Sequence, residues 1–177
     1  MHDCAMTIRT RTARALSATL LILIGAAALI MVGCSSTPSK NEIPPTTDTR
    51  AAVADAAIQA LGRPYRAGAA GPQAYDDSGL VYAAYQSVGA ALPRDIQAQL
   101  DTGKPIELAE AEPADLLFFR VEDSQGGDRL LVGMYTQAGE MLMANPGFGG
   151  SNSGVALFDT DDDFWAQRLV GVVRQLP

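Results

Sequence analysis

Two adjacent carboxylates, Asp76 and Asp77, are the side chains in this sequence best placed to do chemistry. They stand directly before a stretch with helical spacing of apolar residues: Leu80, Val81, Ala84 and Tyr85. Two carboxyl groups whose pKa values are pushed apart can act as general acid and general base. Adjacent residues at the beginning of a helix point in different directions, however, and a carboxylate there also stabilises the helix by accepting backbone N–H groups. The pattern therefore favours helix capping over catalysis.

The residues that most often act as nucleophile, base or metal ligand are confined to the N-terminal segment. The only histidine is His2, and the only cysteines are Cys4 and Cys34. A mechanism that needs a thiolate, an imidazole base or a His/Cys metal site is therefore excluded for the sequence after Cys34. We accordingly expect neither a metal ion nor another cofactor.

Two further motifs have both a chemical and a structural interpretation. Acidic residues at 159 and 161–163 are of the type that binds hard cations, but the spacing lacks the glycine and the distal glutamate of a calcium loop. An acidic cap for the short helix that follows is favoured. Glycines 147, 149, 150 and 154 lie between two predicted strands rather than between a strand and a helix, which is unlike a phosphate-binding loop.

The elements that would position these groups fall into two sets. Helices are predicted at about 50–61 and 78–88. After Pro105 the pattern changes to short strand-like runs separated by Gly, Asp and Asn turns, which predicts an antiparallel meander. These runs are DLLFFR, LLVGMYT, EMLMAN, GVALFD and LVGVVRQL, with a short helix, DDDFWAQR, between the last two. Helices followed by strands indicate the α+β class.

The pattern of residues 1–33 indicates an N-terminal export segment. Three arginines precede an apolar run from Ala15 to Gly33, and the run ends in Met-Val-Gly-Cys at Met31 to Cys34. This ending resembles the lipobox of bacterial lipoproteins, which implies lipidation of Cys34. The alternative is an uncleaved transmembrane helix, because the run is long enough to span a bilayer. Ser35 favours the outer membrane by the same resemblance, and both interpretations place the domain in the periplasm on a membrane anchor.

A tether and one domain follow the anchor. Residues 34–49 are rich in Ser, Thr and Pro and predict a flexible tether, and residues 50–177 are long enough for a single domain with its own core. Once residues 1–33 are removed, the formal charge changes from −7 to −9. An acidic surface of this kind argues against a nucleic-acid partner.

The ordered motifs of the domain resemble those of the NlpC/P60 family (peptidase family C40), the bacterial cell-wall endopeptidases with a papain-like core. The matching segments are ALGRPYRAG at 60–68, YDDSGLV at 75–81, LPR at 92–94 with Gln97 and Gln99, PADLLFF at 113–119, VGMY at 132–135 and the last strand at 168–174. The resemblance implies a papain-like α+β fold with N-terminal helices packed on an antiparallel β-sheet.

The departures from the family pattern concern its catalytic residues. Asp77 occupies the position of the nucleophilic cysteine, and Leu131 occupies that of the general-base histidine. The third polar position aligns with Met143, or alternatively with Asn145, and Ala114 replaces a glycine of the family's Pro-Gly-Asp turn. Because a carboxylate beside apolar side chains cannot perform thiolate chemistry, the resemblance predicts an inactive domain.

We therefore expect a membrane-anchored envelope protein whose domain binds a peptidoglycan stem peptide or a cell-envelope protein partner as an adaptor. The alternative is a cell-wall hydrolase with a mechanism based on Asp77. The residues expected to line the cleft are Tyr65, Arg66, Asp76, Asp77, Ser78, Arg94, Leu131 and Met143.

Overall fold

The computed structural model describes residues 47–177 apart from Ala138. The predicted export segment, Cys34 and the tether up to residue 46 lie outside these residues. Within the described part, no helix combines the length and the apolar character needed to cross a bilayer.

Four α-helices and one short 3-10 helix are seen in the described residues. They are α1 (Thr47–Ile58), α2 (Asp77–Ser87), α3 (Ile96–Thr102), α4 (Asp163–Ala166) and the 3-10 turn Leu108–Glu110. The first helix begins three residues before the predicted start, so residues 47–49 belong to α1 rather than to the tether. The N-cap of helix α3 is Asp95, whose side chain accepts a hydrogen bond from the N–H of Ala98 at 2.9 Å.

Six strands form a single antiparallel sheet. They are β1 (Lys104–Ile106), β2 (Leu116–Glu122), β3 (Asp128–Gln137), β4 (Glu140–Asn145), β5 (Gly154–Asp159) and β6 (Leu169–Arg174), in the order β1-β6-β2-β3-β4-β5. The meander prediction holds for β2 to β5 but is wrong for β6, which crosses back to pair with β2. Strand β1 was not predicted, because three residues with Pro105 at their centre carry no alternating pattern.

The sheet carries a hydrophobic core on each face. Val132 and Leu142 share one buried cluster with Leu80 and Val81 of α2. The opposite face forms a second cluster around Trp165, whose ring makes edge-to-face contacts with Phe119 and Phe158. The α+β fold class with helices on an antiparallel sheet is thus confirmed.

A buried ion cluster joins the first helix to the sheet. Asp115 is fully buried and accepts hydrogen bonds from Arg50 at 2.6 Å and from Arg174 at 2.8 Å. Arg50 also donates to the carbonyl oxygen of Leu176 at 3.0 Å. Because a buried carboxylate is stable only when it is paired, these two arginines fix α1 and β6 against the turn that carries Asp115.

That turn contains an unusual backbone conformation. Ala114 has φ 74°, a left-handed conformation that side-chain-bearing residues rarely adopt. The turn is held there because the N–H of Ala114 donates to the carbonyl of Tyr135, and its own carbonyl accepts from the buried hydroxyl of Tyr85 at 2.6 Å.

Candidate functional site

Asp76 is the N-cap of helix α2. Its Oδ1 accepts the N–H of Gly79 at 2.6 Å, and its Oδ2 accepts the N–H of Gly68 at 2.7 Å. The guanidinium of Arg94 completes the shell with an ion pair of 2.7 Å to Oδ2. Asp76 therefore ties the helix start to the 62–75 segment and leaves neither of its oxygens without a partner.

Arg94 lies at the predicted site, but it is already engaged. Besides the ion pair with Asp76, it donates to the hydroxyl of Ser78 at 2.6 Å. Its charge is therefore compensated within the protein. Arg66 is exposed on the neighbouring turn, and its place in a cleft stays a prediction.

Asp77 is the first residue of helix α2 rather than its cap, which corrects the expectation of a capping acid. It is 6% exposed, and among the described residues no side chain hydrogen-bonds to it or forms an ion pair with it. Burial raises the pKa of the Asp77 carboxyl to about 6, against the opposing effects of the Ser78 amide and of the charge of Arg129.

Arg129, at the beginning of β3, is the cation whose charge acts on Asp77. Its Nη2 donates to the hydroxyl of Tyr65 at 2.6 Å, and its guanidinium carbon lies 5.8 Å from the centre of the Tyr65 ring. Tyr65 is half-buried, and its place in a cleft stays a prediction. The sequence reasoning missed Arg129 because it compared only the family's catalytic positions; the signal was an arginine two residues before Leu131.

Leu131 and Met143 are fully buried, which contradicts the expectation that they line a cleft. Both belong to the cluster around Trp165, on the face of the sheet opposite α2. The reason is strand alternation: since Val132 and Leu142 face α2, their neighbours Leu131 and Met143 must face the other way. Neither side chain lines a cleft in this structure.

Asn145, the alternative third position, organises the glycine-rich loop. Its side-chain oxygen accepts the N–H groups of Gly147 and Phe148, both at 2.9 Å. Its amide nitrogen donates to the carbonyl of Phe148 and to the hydroxyl of Ser151. All four hydrogen bonds that the amide can make serve the loop, so Asn145 has a structural role.

The acidic residues before α4 also have a structural role. Asp162 accepts the N–H of Phe164 at 2.8 Å as the helix cap, which confirms the favoured interpretation. Asp159 accepts the N–H of Asp161 at 2.8 Å in the preceding turn. Within residues 47–177, no group of three or more potential metal ligands comes together.

The fold and the site together define an α+β domain with an acidic residue at the beginning of a helix that packs on an antiparallel sheet. A model of the NlpC/P60 family matches residues 62–174, which is more than half of the chain. The chain belongs to the NlpC/P60 family.

Named relatives support this assignment. The probable endopeptidase Rv2190c of Mycobacterium tuberculosis is 42% identical over 78 residues, covering 44% of this chain and 20% of that protein. The chain thus spans a fifth of the length of this curated relative. The structure of the peptidoglycan hydrolase RipB from the same organism matches with a TM-score of 0.60 and 25% identity, covering 94% of this chain and 85% of that one.

A third comparison concerns the fold alone. RipD of Mycobacterium tuberculosis, described as a non-catalytic NlpC/p60 domain protein adapted to peptidoglycan binding, matches with a TM-score of 0.55 and 22% identity. The match covers 73% of this chain and 97% of that one.

Proposed function

We propose that this chain is a cell-envelope protein whose NlpC/P60 domain binds a peptidoglycan stem peptide, or a protein partner in the envelope, without hydrolysing peptide bonds. The observation that supports this proposal is which residues occupy the positions that the sequence resemblance aligns with the family's catalytic groups. Asp77 stands at the nucleophile position, while Leu131 and Met143 are sealed inside an apolar cluster. The printed sequence has no histidine or cysteine after Cys34.

The chemistry of acyl transfer explains why these replacements matter. Attack on a peptide carbonyl needs a strong nucleophile and a neighbouring group that takes and returns a proton. The Asp77 carboxylate is a far weaker nucleophile than a thiolate, and Leu131 cannot exchange a proton. A binding site, in contrast, needs neither group, so the domain can keep a ligand function after losing the family's catalytic residues.

A second candidate, a hydrolase based on Asp77, is favoured by one observation. The pKa of about 6 lies in the range that suits a general base. Such a mechanism also needs a second carboxyl group with a different pKa, and the neighbouring Asp76 is held by Arg94 and two backbone amides. We therefore rank this candidate below the binding module.

The location of the protein is part of the proposal. The lipobox-like ending at Cys34 supports a lipid anchor in the periplasm, with the outer membrane favoured by Ser35. Membrane fractionation of cells that express Cys34→Ala tests this: the variant should lose its membrane association. Retention in the membrane with an uncleaved N-terminus would establish the transmembrane alternative.

The proposed binding function is tested with the purified full-length chain and intact peptidoglycan sacculi. The chain should sediment with the sacculi, and mass spectrometry should find no new product from defined muropeptides. RipD offers a precedent for such a module on the same fold. Turnover that disappears in Asp77→Ala would instead establish the carboxylate enzyme, and a chain that neither sediments nor cleaves would leave a protein partner.

A further inference from the structure

Strand β5 is an edge strand of the sheet, and only its beginning is covered by another part of the described chain. On the side away from β4, the N–H of Gly62 donates to the carbonyl of Val155 at 2.9 Å. The N–H of Val155 in turn donates to the carbonyl of Arg63 at 2.8 Å. These two hydrogen bonds show that the backbone groups of Val155 point away from the sheet.

The rest of the β5 edge is open. In an antiparallel strand the backbone groups of alternate residues point to the same side, so those of Leu157 and Asp159 point outward like those of Val155. The N–H of Thr160 agrees with this alternation, because it donates inward to the carbonyl of Gly139 at 2.9 Å. Among the described residues, no backbone group bonds to Leu157 on the outer side. An edge of this kind is a template for a further strand.

Exposed apolar side chains accompany the open edge. The described residues contain four exposed large apolar side chains, which are Ile58 at 37%, Leu61 at 40%, Leu157 at 42% and Val170 at 45%. Three of these four lie beside the β5 edge: Leu157 on the strand itself, Leu61 directly before Gly62, and Ile58 at the end of α1. We call Ile58, Leu61 and Leu157 the β5 edge patch. Exposed apolar residues that collect at one place indicate a protein interface.

The two ends of the edge carry opposite charges. Arg63 is exposed beside the beginning of β5, where its carbonyl is bonded to Val155. Asp159 and Asp161 are exposed at the other end. Neither Arg63 nor Asp161 forms an ion pair with another described residue. An edge that is basic at one end and acidic at the other is complementary to itself when a second copy runs in the opposite direction.

From the open edge, the apolar patch and the charges we propose that two copies of this chain pair through β5. The strands run antiparallel about a two-fold axis beside Phe158, so that Leu157 of each copy lies opposite Asp159 of the other and exchanges backbone hydrogen bonds with it. The two β5 edge patches meet across the axis, and Arg63 of each copy faces Asp161 of the other. The sheet then continues from one copy into the next, and the same contacts occur twice. This interface uses no residue at the beginning of α2.

Disulfide cross-linking of the full-length chain in cell membranes tests the strand register. One copy carries Leu157→Cys and a differently tagged copy carries Asp159→Cys, both with Cys4→Ser and with Cys34 retained. Residues opposite each other in such a pair have Cα atoms about 5.5 Å apart, which a disulfide can span. Oxidation should therefore give a cross-linked product that contains both tags.

Val170→Cys replaces Leu157→Cys in the matched control. Val170 is as exposed as Leu157 but lies on β6, which has neighbouring strands on both sides. This control also retains Cys34, so a cross-link through Cys34 would appear equally in both experiments. No product with both tags, or an equal yield in the control, would overturn the proposed pairing.

Co-purification of two tagged full-length copies from solubilised membranes tests the contacts separately. Leu157→Lys in both copies should abolish co-purification, because a lysine on an edge strand opposes pairing, whereas Val170→Lys should leave it unchanged. Arg63→Glu should weaken it by placing like charges together, and adding Asp161→Arg in the same chain should restore it. A misfolded variant could not be rescued in this way. Co-purification that survives Leu157→Lys, or a failure of the charge reversal to restore it, would disprove the dimer.

Discussion

Asp76 and Asp77 are neighbours at the start of one helix, yet their carboxylates have opposite surroundings. Asp76 accepts two backbone N–H groups and an arginine, whereas Asp77 has no side-chain partner among the described residues. Burial affects both, since both are less than 10% exposed. The same substitution at these two positions should therefore change stability in opposite directions.

Asp76→Asn should destabilise the domain by about 2–4 kcal/mol, because an amide cannot accept from both backbone donors and also compensate the charge of Arg94. Chemical denaturation at pH 7 measures the change in the free energy of unfolding. Arg94→Met should reproduce part of the loss, since it removes the ion pair and leaves the two backbone contacts. A neutral result for Asp76→Asn would show that this network is not needed for the fold.

Asp77→Asn should stabilise the domain at neutral pH. The folded-state pKa of about 6 lies above the ordinary value of 3.8, so the folded protein retains a proton that the unfolded chain has already released. Stability from this group is fully present below pH 3.8 and is lost as the pH rises through 6. The charged groups near Asp77 are Arg129 on β3 and Asp76 at the helix start.

Denaturation at several pH values tests this directly. Asp77→Asn should be more stable than the wild type by about 1–3 kcal/mol at pH 7.5, and the difference should disappear near pH 4. A constant difference across this range would contradict the raised pKa.

Restoring the family's catalytic residues should fail for a structural reason. Asp77→Cys alone should react slowly with iodoacetamide, since the burial that raises the pKa of the Asp77 carboxyl would also raise that of a thiol, and it should not cleave muropeptides without a base. Leu131→His should destabilise the domain by about 2–5 kcal/mol, because it places a polar ring in a closed apolar cluster. Leu131→Met is the matched control and should cost less than about 1.5 kcal/mol. Activity in the double variant Asp77→Cys/Leu131→His would show that the cluster can open.

Ala114→Gly should stabilise the domain by about 0.5–1 kcal/mol. A left-handed conformation at φ 74° is unfavourable for alanine and is readily adopted by glycine, although glycine also gains entropy in the unfolded chain. Thermal unfolding gives the change in Tm. A lower Tm in Ala114→Gly would mean that the unfolded-state entropy outweighs the strain.

The sequence was sufficient for five of the six strands in the described residues and for the helix that carries the site, but it predicted neither β1 nor helix α3. Strands β4 and β5 have the predicted boundaries, because alternation and flanking turn residues are local signals. The return of β6 to pair with β2 was not predicted, because strand order depends on contacts between residues far apart in the chain.

The site was predicted less completely, for reasons that particular residues show. The pair between Asp76 and Arg94 joins positions 18 residues apart and depends on the path of the intervening chain. The burial of Leu131 and Met143 could have been predicted from strand alternation. If Val132 and Leu142 face the helix, their neighbours in the same strands must face the opposite side of the sheet.

The contacts of Arg50 have a mechanical consequence. Helix α1 follows the proposed anchor, and in its first turn Arg50 is bonded to the buried Asp115 and to the carbonyl of Leu176. A force that pulls on the chain before Thr47 would act on Arg50 in the first turn of α1. Its contacts with Asp115 and Leu176 would resist that force together, so α1 would not unwind turn by turn. The two ends of the domain share one attachment point, so a load applied at either end is carried by the same buried contacts.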